Sequence, residues 1–283
     1  MTQRGGGMDG EVTPEQAEEV LRALVDGGGM EHLDTALALR LLPLAEELGH
    51  EDLVVRLLNQ ADAAANDTIE EGWVQLEHLR RGQDANVDAL MALGTDAEAM
   101  EGGARLAAAA FHHGALLLHA QEAHNEAHAV LGRSLRHRRS VRDEKGTVYG
   151  LAARAACEKA LERVDDAIAT ETERLGLLER LGDDEGVMDA LADLAHVHAT
   201  IGEVDIASDH LKRSYELAKD LQDLSGQLVA GWGLADLAEI AEDWSTAMLQ
   251  LSDVVHAFMA AGLPAPEPVR ERIQHLTALA DQA

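Results

Sequence analysis

The sequence predicts an all-α protein built from stacked pairs of antiparallel helices. Hydrophobic residues make up 46% of the chain but aromatic residues only 2%, and there are five prolines in 283 residues. A chain rich in Ala and Leu favours helix, because both are strong helix formers, whereas Pro breaks helices. No run of alternating β-branched residues indicates a strand.

An internal repeat of 40 residues is the second observation behind this fold class. Asp, Gly, Ala and Leu each recur at that spacing. The residues in register are Asp143, Asp183 and Asp223; Gly146, Gly186 and Gly226; Ala127, Ala167, Ala207 and Ala247; and Leu131, Leu211 and Leu251. Glu171 alone interrupts the Leu series. The joint register of four residue types indicates a repeat array.

Each repeat predicts two helices. In one unit, residues 187–200 are apolar at helical spacing and form the first helix. Gly202 then supplies a helix C-cap, and residues 207–223 form a second helix that ends at the next acidic turn. Because neither helix can bury its apolar stripe alone, the pairs are expected to stack on one another.

The two ends of the chain predict capping elements around this array. Residues 1–13 lack the apolar segment of a signal peptide and are expected to be a disordered tail. Residues 14–29 comprise an N-terminal helix and a Gly linker, and residues 30–262 form the array. In residues 263–283, a Pro-rich break is followed by a terminal amphipathic helix that covers the last exposed face.

The helix pairs resemble the tetratricopeptide repeat. Leu191-x2-Leu194-Ala195-x2-His198, followed by Ala207, matches the skeleton of its signature, and Trp73-x2-Leu76 with Ala89 is a fainter copy. The resemblance implies a right-handed α-solenoid of about six helix pairs. The residues that anchor their second helices are Val54, Ala89, Ala127, Ala167, Ala207 and Ala247.

This chain departs from the family pattern in three ways. Its later units are longer than the usual period of about 34 residues, most consensus aromatics and the closing Pro are missing, and Arg154 stands where Leu is expected. Long units of this kind resemble those of bacterial signalling regulators and of motor or polarity adaptors.

The resemblance also implies a concave groove lined by the first helices, which binds a peptide or partner segment. The family pattern places groove-facing residues 18, 15, 11 and 8 positions before each anchor. The groove residues implied here are His78, Arg81, His112, Leu116, His119, Tyr149, Lys159, Asp189, His196, Trp232, Asp236 and Glu239. Trp232, which lies between two glycines, is either an interface hot spot or a core residue.

A basic segment stands out against the net charge of −29. It is expected on the convex side and consists of Arg133, Arg136, Arg138, Arg139, Arg142 and Lys145. An acidic partner or a second copy of the chain would bind it, or it is a solvated face paired with nearby acids. The overall acidity disfavours nucleic acid as a partner, although a salt-adapted or GC-rich source is an alternative cause of that acidity.

Other composition features limit the location of the protein. No apolar run of 18 residues predicts membrane insertion. The single cysteine, Cys157, allows no disulfide within the chain, so the reducing cytoplasm is the expected compartment.

The sequence predicts neither catalysis nor a cofactor. It contains no Gly-rich phosphate loop, no nucleophile elbow and no Cys/His signature. His124 and His128, at i and i+4, are the candidate metal pair, but no third ligand completes them. The sequence therefore favours a non-catalytic interaction scaffold or adaptor. The alternatives are a bacterial-type signalling regulator that closes on a short peptide or small ligand, and a His-rich metal-dependent enzyme.

Overall fold

The computed structural model describes residues 14–25, 27–82 and 86–280, and all regular secondary structure in these ranges is α-helical. The predicted tail, residues 1–13, lies outside the described residues. The helices are α1 Pro14–Val25, α2 Thr35–Glu47, α3 Glu51–Ala64, α4 Thr68–Arg81, α5 Val87–Glu98, α6 Ala104–Ala120, α7 His124–Ser140, α8 Glu144–Ala160, α9 Val164–Leu181, α10 Asp184–Thr200, α11 Val204–Asp220, α12 Leu224–Ile240, α13 Trp244–Ala260 and α14 Glu267–Ala280. The predicted all-α fold of stacked helix pairs is confirmed.

The chain divides into two compact units. Unit 1 covers residues 1–143 and contains α1–α7. Its helices pack in sequence order, with extensive contact between α2 and α3, between α5 and α6, and between α6 and α7. Leu41, Leu42 and Leu57 are almost fully buried at its N-terminal end, and Phe111 on α6 is its largest fully buried side chain.

Unit 2 covers residues 144–283 and contains three helix pairs, α8/α9, α10/α11 and α12/α13, followed by α14. Each helix from α8 to α13 packs on the next one, and α14 packs on α13. The interior consists of Leu, Val and small Ala residues, among them Leu178, Leu191 and Leu251. A core almost without aromatic rings therefore depends on close helix packing.

The predicted anchors lie near the start of the second helix of each pair. Ala127, Ala167, Ala207 and Ala247 are the fourth residues of α7, α9, α11 and α13, and all four are fully buried. Ala89 is only half-buried, and its neighbour Leu90 is the buried residue of α5 instead. The anchor of this unit is therefore one residue later than predicted.

The turns follow a period of 20 residues. From α6 to α13, every helix is followed by a residue with φ between 54° and 80°, in the left-handed region. These residues are Glu122, Arg142, Glu162, Gly182, Gly202, Gln222, Glu242 and Gly262. The next residue in each turn donates its backbone N–H to the carbonyl five residues earlier, at 2.9 to 3.1 Å. This is the Schellman motif, which satisfies carbonyls at a helix C-terminus.

Several of these donors also start the following helix. The carboxylates of Asp183, Asp223 and Asp243 accept backbone N–H groups of Gly186, Ser225 and Thr246 at 2.9, 2.9 and 3.0 Å. One Asp thus closes one helix through its backbone and caps the next through its side chain. This double role accounts for Asp183 and Asp223 in the 40-residue register.

The left-handed turns make a stability prediction. A non-Gly residue in this region costs about 1 kcal/mol, so we expect Gln222→Gly to raise the free energy of unfolding by up to about 1 kcal/mol. The matched control is Lys212→Gly, at an exposed position inside α11, which should lower it by about 1 kcal/mol. Urea denaturation measures both, and destabilisation by Gln222→Gly would contradict the prediction.

Candidate functional site

Unit 2 contains a cleft of about 490 Å³ between α8 and α10, with α9 as its floor. We call it the α8–α10 cleft. Four residues of α8 at helical spacing form one wall, and the opposite wall comes from the start of α10. The lining residues are Lys145, Val148, Tyr149, Ala152, Arg174, Leu178, Leu181, Gly182, Asp183, Glu185, Gly186 and Asp189. Its volume suits a small molecule or a short stretch of peptide.

Small residues determine the shape of this cleft. A Cβ added at Gly186 would come within 2.4 Å of the Leu178 side chain, so any larger residue here would require Leu178 to move. Gly226, one repeat later, lies in the same way against Met188. In these two repeats the Gly of the sequence register is thus a close-packing position. On the opposite wall, Ala152 contributes only a methyl group to the lining and so leaves the cleft open.

A network of two buried and two partly exposed charges lies at the floor of the cleft. Arg174 is only 9% exposed, and its Nη1 atom donates to Glu171 at 3.0 Å and to Asp193 at 2.9 Å. Lys159 Nζ donates to Asp193 at 2.8 Å and lies 3.8 Å from Glu171. Two carboxylates and two cations therefore balance one another inside a helical stack.

The pKa values of this network show which interactions dominate. Burial would lower the pKa of Arg174, but Glu171 and Asp193 outweigh it and raise that pKa above its ordinary value. Burial also raises the pKa of Glu171, against the opposing effect of Arg174 and Lys159. For Asp193, hydrogen bonds and charges from Lys159 and Arg174 overcome burial and lower the pKa. Arg174 is therefore a fixed cation at the cleft floor.

One donor of this guanidinium is unused. The Nε atom of Arg174 is buried and has no hydrogen-bond partner within the described residues. A buried donor without a partner costs about 1–3 kcal/mol relative to a satisfied one. Nη2 also forms no hydrogen bond within the described residues, and unlike Nε it is not enclosed by the protein.

The structure brings two predicted groove residues, Tyr149 and Asp189, into the cleft. Tyr149 is 66% exposed on α8, and Asp189 is exposed on the α10 wall. Loss of hydration raises the pKa of Asp189; the charge of Arg174 opposes this effect, and neighbouring carboxylates add to it. Lys159 lies in the charge network beneath, and His196 is exposed farther along α10.

The C-terminal end of the predicted groove is covered by α14. The Arg272 guanidinium lies 4.5 Å from the centre of the Trp232 ring, donates to Glu239 at 2.7 Å and pairs with Asp236. Trp232 is half-buried and packs against the core of the last repeat. Trp232 also lines an apolar cavity of about 340 Å³, so both alternatives for this residue stay predictions.

In unit 1, the predicted groove residues do not form one site. His78 and Leu116 are exposed, whereas Arg81 is paired with Glu46 at 2.6 Å and with Glu77. His119 contacts His124, with 3.0 Å between their Nδ1 atoms. His112 is half-buried, and burial together with the charges of Arg138 and Arg80 lowers its pKa to about 4. At neutral pH it adds no positive charge to the groove.

Unit 1 has its own cleft of about 480 Å³ between α2 and α4. Trp73, Leu39 and Ile69 contribute apolar surface, and Asp67 and Glu70 contribute carboxylates. Asp67 caps α4, and Glu70 accepts the backbone N–H of Asn66 at 2.8 Å, so both carboxylates serve the local turn. Sequence reasoning used Trp73 only as a repeat marker.

The predicted basic patch is divided. Arg138 is only 8% exposed and bonds to Ser134 and Asp143, and Arg133 lies over the Phe111 ring while pairing with Glu98. The residues of the predicted patch that are exposed in unit 1 are Arg136, Arg139 and Arg142. Lys145 belongs to unit 2 and lines the α8–α10 cleft. The prediction that Arg138 lies on the surface is therefore wrong, because its guanidinium bonds to Ser134 and Asp143 near the end of α7.

The candidate metal pair has no supporting cluster. His124 contacts His119, and the part of the chain that the structure describes contains no group of three or more His, Cys, Asp or Glu able to hold a metal ion. None of the described helices is long and apolar enough to cross a membrane.

Sequence reasoning missed Arg174 and the network around it. The signal was the interruption of the repeat register at Glu171, where three other units carry Leu. Arg174 stands where Ser134 and Ser214 each donate a hydroxyl to a carbonyl of the preceding helix, at 2.7 and 3.0 Å. Two charged residues at core positions of one repeat mark a site that differs from its copies.

Comparison with known proteins adds evidence on the fold. No protein-family model matches the sequence, and no curated protein matches it significantly. The structure is similar to the apo form of RapI, with 12% identity, a TM-score of 0.68, and coverage of 94% of this chain and 75% of RapI. It is also similar to a Rap protein complexed with Competence and Sporulation Factor, with 15% identity, a TM-score of 0.56, and coverage of 95% and 81%.

A third similar structure is a Signal Transduction ATPase with Numerous Domains from Pyrococcus horikoshii, which carries a tetratricopeptide repeat sensor. The identity is 14% and the TM-score 0.64, and the match covers 87% of this chain but only 38% of that protein. These neighbours confirm the predicted tetratricopeptide-like helical-repeat fold. At such low identities the likeness shows the fold alone.

The charge network can be tested by restoring the repeat register. Arg174→Ser alone leaves Glu171 buried without its guanidinium partner, and we expect a loss of about 3 kcal/mol in unfolding free energy. Adding Glu171→Leu should recover most of that loss, because Leu and Ser occupy these positions in other repeats. A double-mutant cycle in urea measures the coupling, and additive effects would contradict it.

His112 and His113 make a pH prediction for unit 1. Burial, with nearby Arg charges, lowers their pKa values to about 4 and about 3, whereas the unfolded chain protonates near pH 6.5. The unfolded state therefore binds more protons below pH 6.5, and stability should fall progressively from there toward pH 4. NMR titration of both rings checks the pKa values. The variant His112→Leu should show a weaker decline of stability.

Proposed function

We propose that the protein is a non-catalytic interaction scaffold that holds an extended segment of a partner protein in the α8–α10 cleft. The observation that carries this proposal is the cleft itself, which combines exposed Tyr149 and Asp189 with the Arg174 guanidinium at its floor. Stacked helix pairs commonly present such surfaces to extended peptides. The similar Rap and sensor structures are consistent with a regulatory or adaptor role.

A second candidate is a signalling regulator that closes on a short peptide or small ligand. It is favoured by the similarity to a Rap protein complexed with Competence and Sporulation Factor and to a tetratricopeptide repeat sensor. In this case the cleft holds a free ligand instead of part of a larger partner. A His-rich metal enzyme has less support, since the described residues offer no group of three ligating side chains.

The remaining parts of the proposal concern location and assembly. A cytoplasmic location and a lack of nucleic-acid partners stay predictions from composition. Self-association through the exposed Arg136, Arg139 and Arg142 also stays a prediction.

Selection from an unbiased displayed peptide library tests the scaffold proposal. We expect wild-type protein to enrich specific sequences that Ala152→Trp fails to bind, because the indole would fill the cleft beside Tyr149. The matched control is Thr172→Trp, on the exposed face of α9, which should bind the same sequences as wild type. Circular dichroism verifies that both variants fold.

Failure of this experiment has two forms. Either no sequence is enriched on wild-type protein, or the enriched sequences bind Ala152→Trp as tightly as wild type. Both outcomes would reject the α8–α10 cleft as a peptide site.

A further inference from the structure

The α8–α10 cleft has more negative than positive charge available to a ligand. Arg174 is already balanced by Glu171 and Asp193, which leaves Lys145 as the other cation that lines the cleft. Three carboxylates line the cleft, and they belong to Asp183, Glu185 and Asp189. A cationic ligand group therefore complements these walls, and an anionic one does not.

Two of these carboxylates are available for binding. Asp183 accepts the backbone N–H of Gly186 at 2.9 Å and so serves as a helix cap. Glu185 and Asp189 lie one helical turn apart on α10, both are exposed, and neither has an ion-pair partner among the described residues. Together they form a place where one ligand cation can lie between two oxygen acceptors.

The floor of the cleft requires a different group. A guanidinium carries five N–H donors, and both ion pairs of Arg174 use only Nη1. The buried Nε is enclosed by the protein, so Nη2, which has no partner in the described part of the chain, is the donor available to a ligand in the cleft. Because the acidic wall disfavours a carboxylate here, the fitting acceptor is a neutral oxygen such as a main-chain carbonyl.

The aromatic wall favours a long side chain over a compact ion. Tyr149 is 66% exposed and presents its ring in the same cleft. The aliphatic stem of Lys, or the plane of an Arg guanidinium, packs well on such a ring. A cation attached to a flexible stem thus contacts both Tyr149 and the α10 carboxylates.

We propose that the α8–α10 cleft selects an extended peptide segment carrying a Lys or Arg side chain. The cationic group lies against Asp189 and Glu185, and a neighbouring main-chain carbonyl accepts a hydrogen bond from Arg174. This inference rests on the proposed function, in which the cleft holds a partner segment, and adds the chemistry that the segment must have.

The experiment starts from the peptides enriched by wild-type protein, synthesised with a fluorescein label. We expect a Lys or Arg at one fixed position, and replacing it with norleucine should weaken binding in fluorescence anisotropy by about tenfold. Asp189→Asn should cause a similar loss. The matched control, Asp205→Asn, removes one exposed carboxylate of α11 outside the cleft and should leave binding unchanged.

Salt and the floor residue give two further measurements. Raising NaCl from about 50 to about 500 mM should weaken the Lys peptide more than its norleucine form, because screening acts on the ion pair. Arg174→Lys keeps the charge beside Glu171 and Asp193 but removes the guanidinium donors, and should weaken both peptides by a few-fold. Thermal unfolding verifies that this variant remains folded.

The outcomes separate the two proposals. If peptides depend on the cleft but lack basic residues, or if Asp189→Asn and Asp205→Asn bind equally, this inference is wrong and the scaffold proposal stands. If no cleft-dependent peptide is enriched, both proposals are wrong.

Discussion

The backbone hydrogen bond that closes each helix in the later part of the chain is the interaction on which the stack depends. From α6 onward, an N–H bonds to the carbonyl five residues earlier at every twentieth residue, so each helix ends at the same point of its cycle. From α6 to α13 the helices are therefore 17 or 18 residues long, and Ala127, Ala167, Ala207 and Ala247 align at buried positions. Because the turns are regular, small residues lie at equivalent positions of successive helices, and the core packs closely.

The α8–α10 cleft arises where one repeat differs from its copies. Elsewhere the second helix presents Leu and a small residue to its neighbours, but α9 presents Glu171 and Arg174. Burying these charges is tolerable only because Lys159 and Asp193 complete the network. Arg174 also places a guanidinium at the floor of the cleft, and its Nη2 atom has no partner in the described part of the chain. Glu171 and Arg174 therefore reduce apolar packing in this repeat and at the same time create its polar surface.

Much of the fold could be predicted from the sequence, and less of the site. The register of Asp, Gly, Ala and Leu determines the helix pairs, because buried small residues and caps recur wherever the geometry recurs. The 20-residue period of the turns was harder to detect, since five of the eight left-handed positions are not Gly and their bonds involve only backbone atoms. The groove pattern found Tyr149 and Asp189, but Arg174 lies on a second helix that this pattern excludes. Likewise, the contact of α14 with Trp232 depends on how the last helix packs, which spacing alone does not specify.

The charged layer at α9 also affects how the stack of unit 2 would come apart. In a linear array, each repeat is held mainly by its two neighbours, so the layer with the weakest contacts is the first to open. Where two charged residues stand in place of Leu and Ser, this layer depends on its ion pairs as well as on the buried Leu177 and Leu178. A molecule bound across α8 and α10 would bridge this layer and hold the neighbouring repeats together. Binding in the cleft would then stabilise the contacts between the neighbouring repeats of unit 2, because the ligand would pack where the charged residues reduce apolar packing.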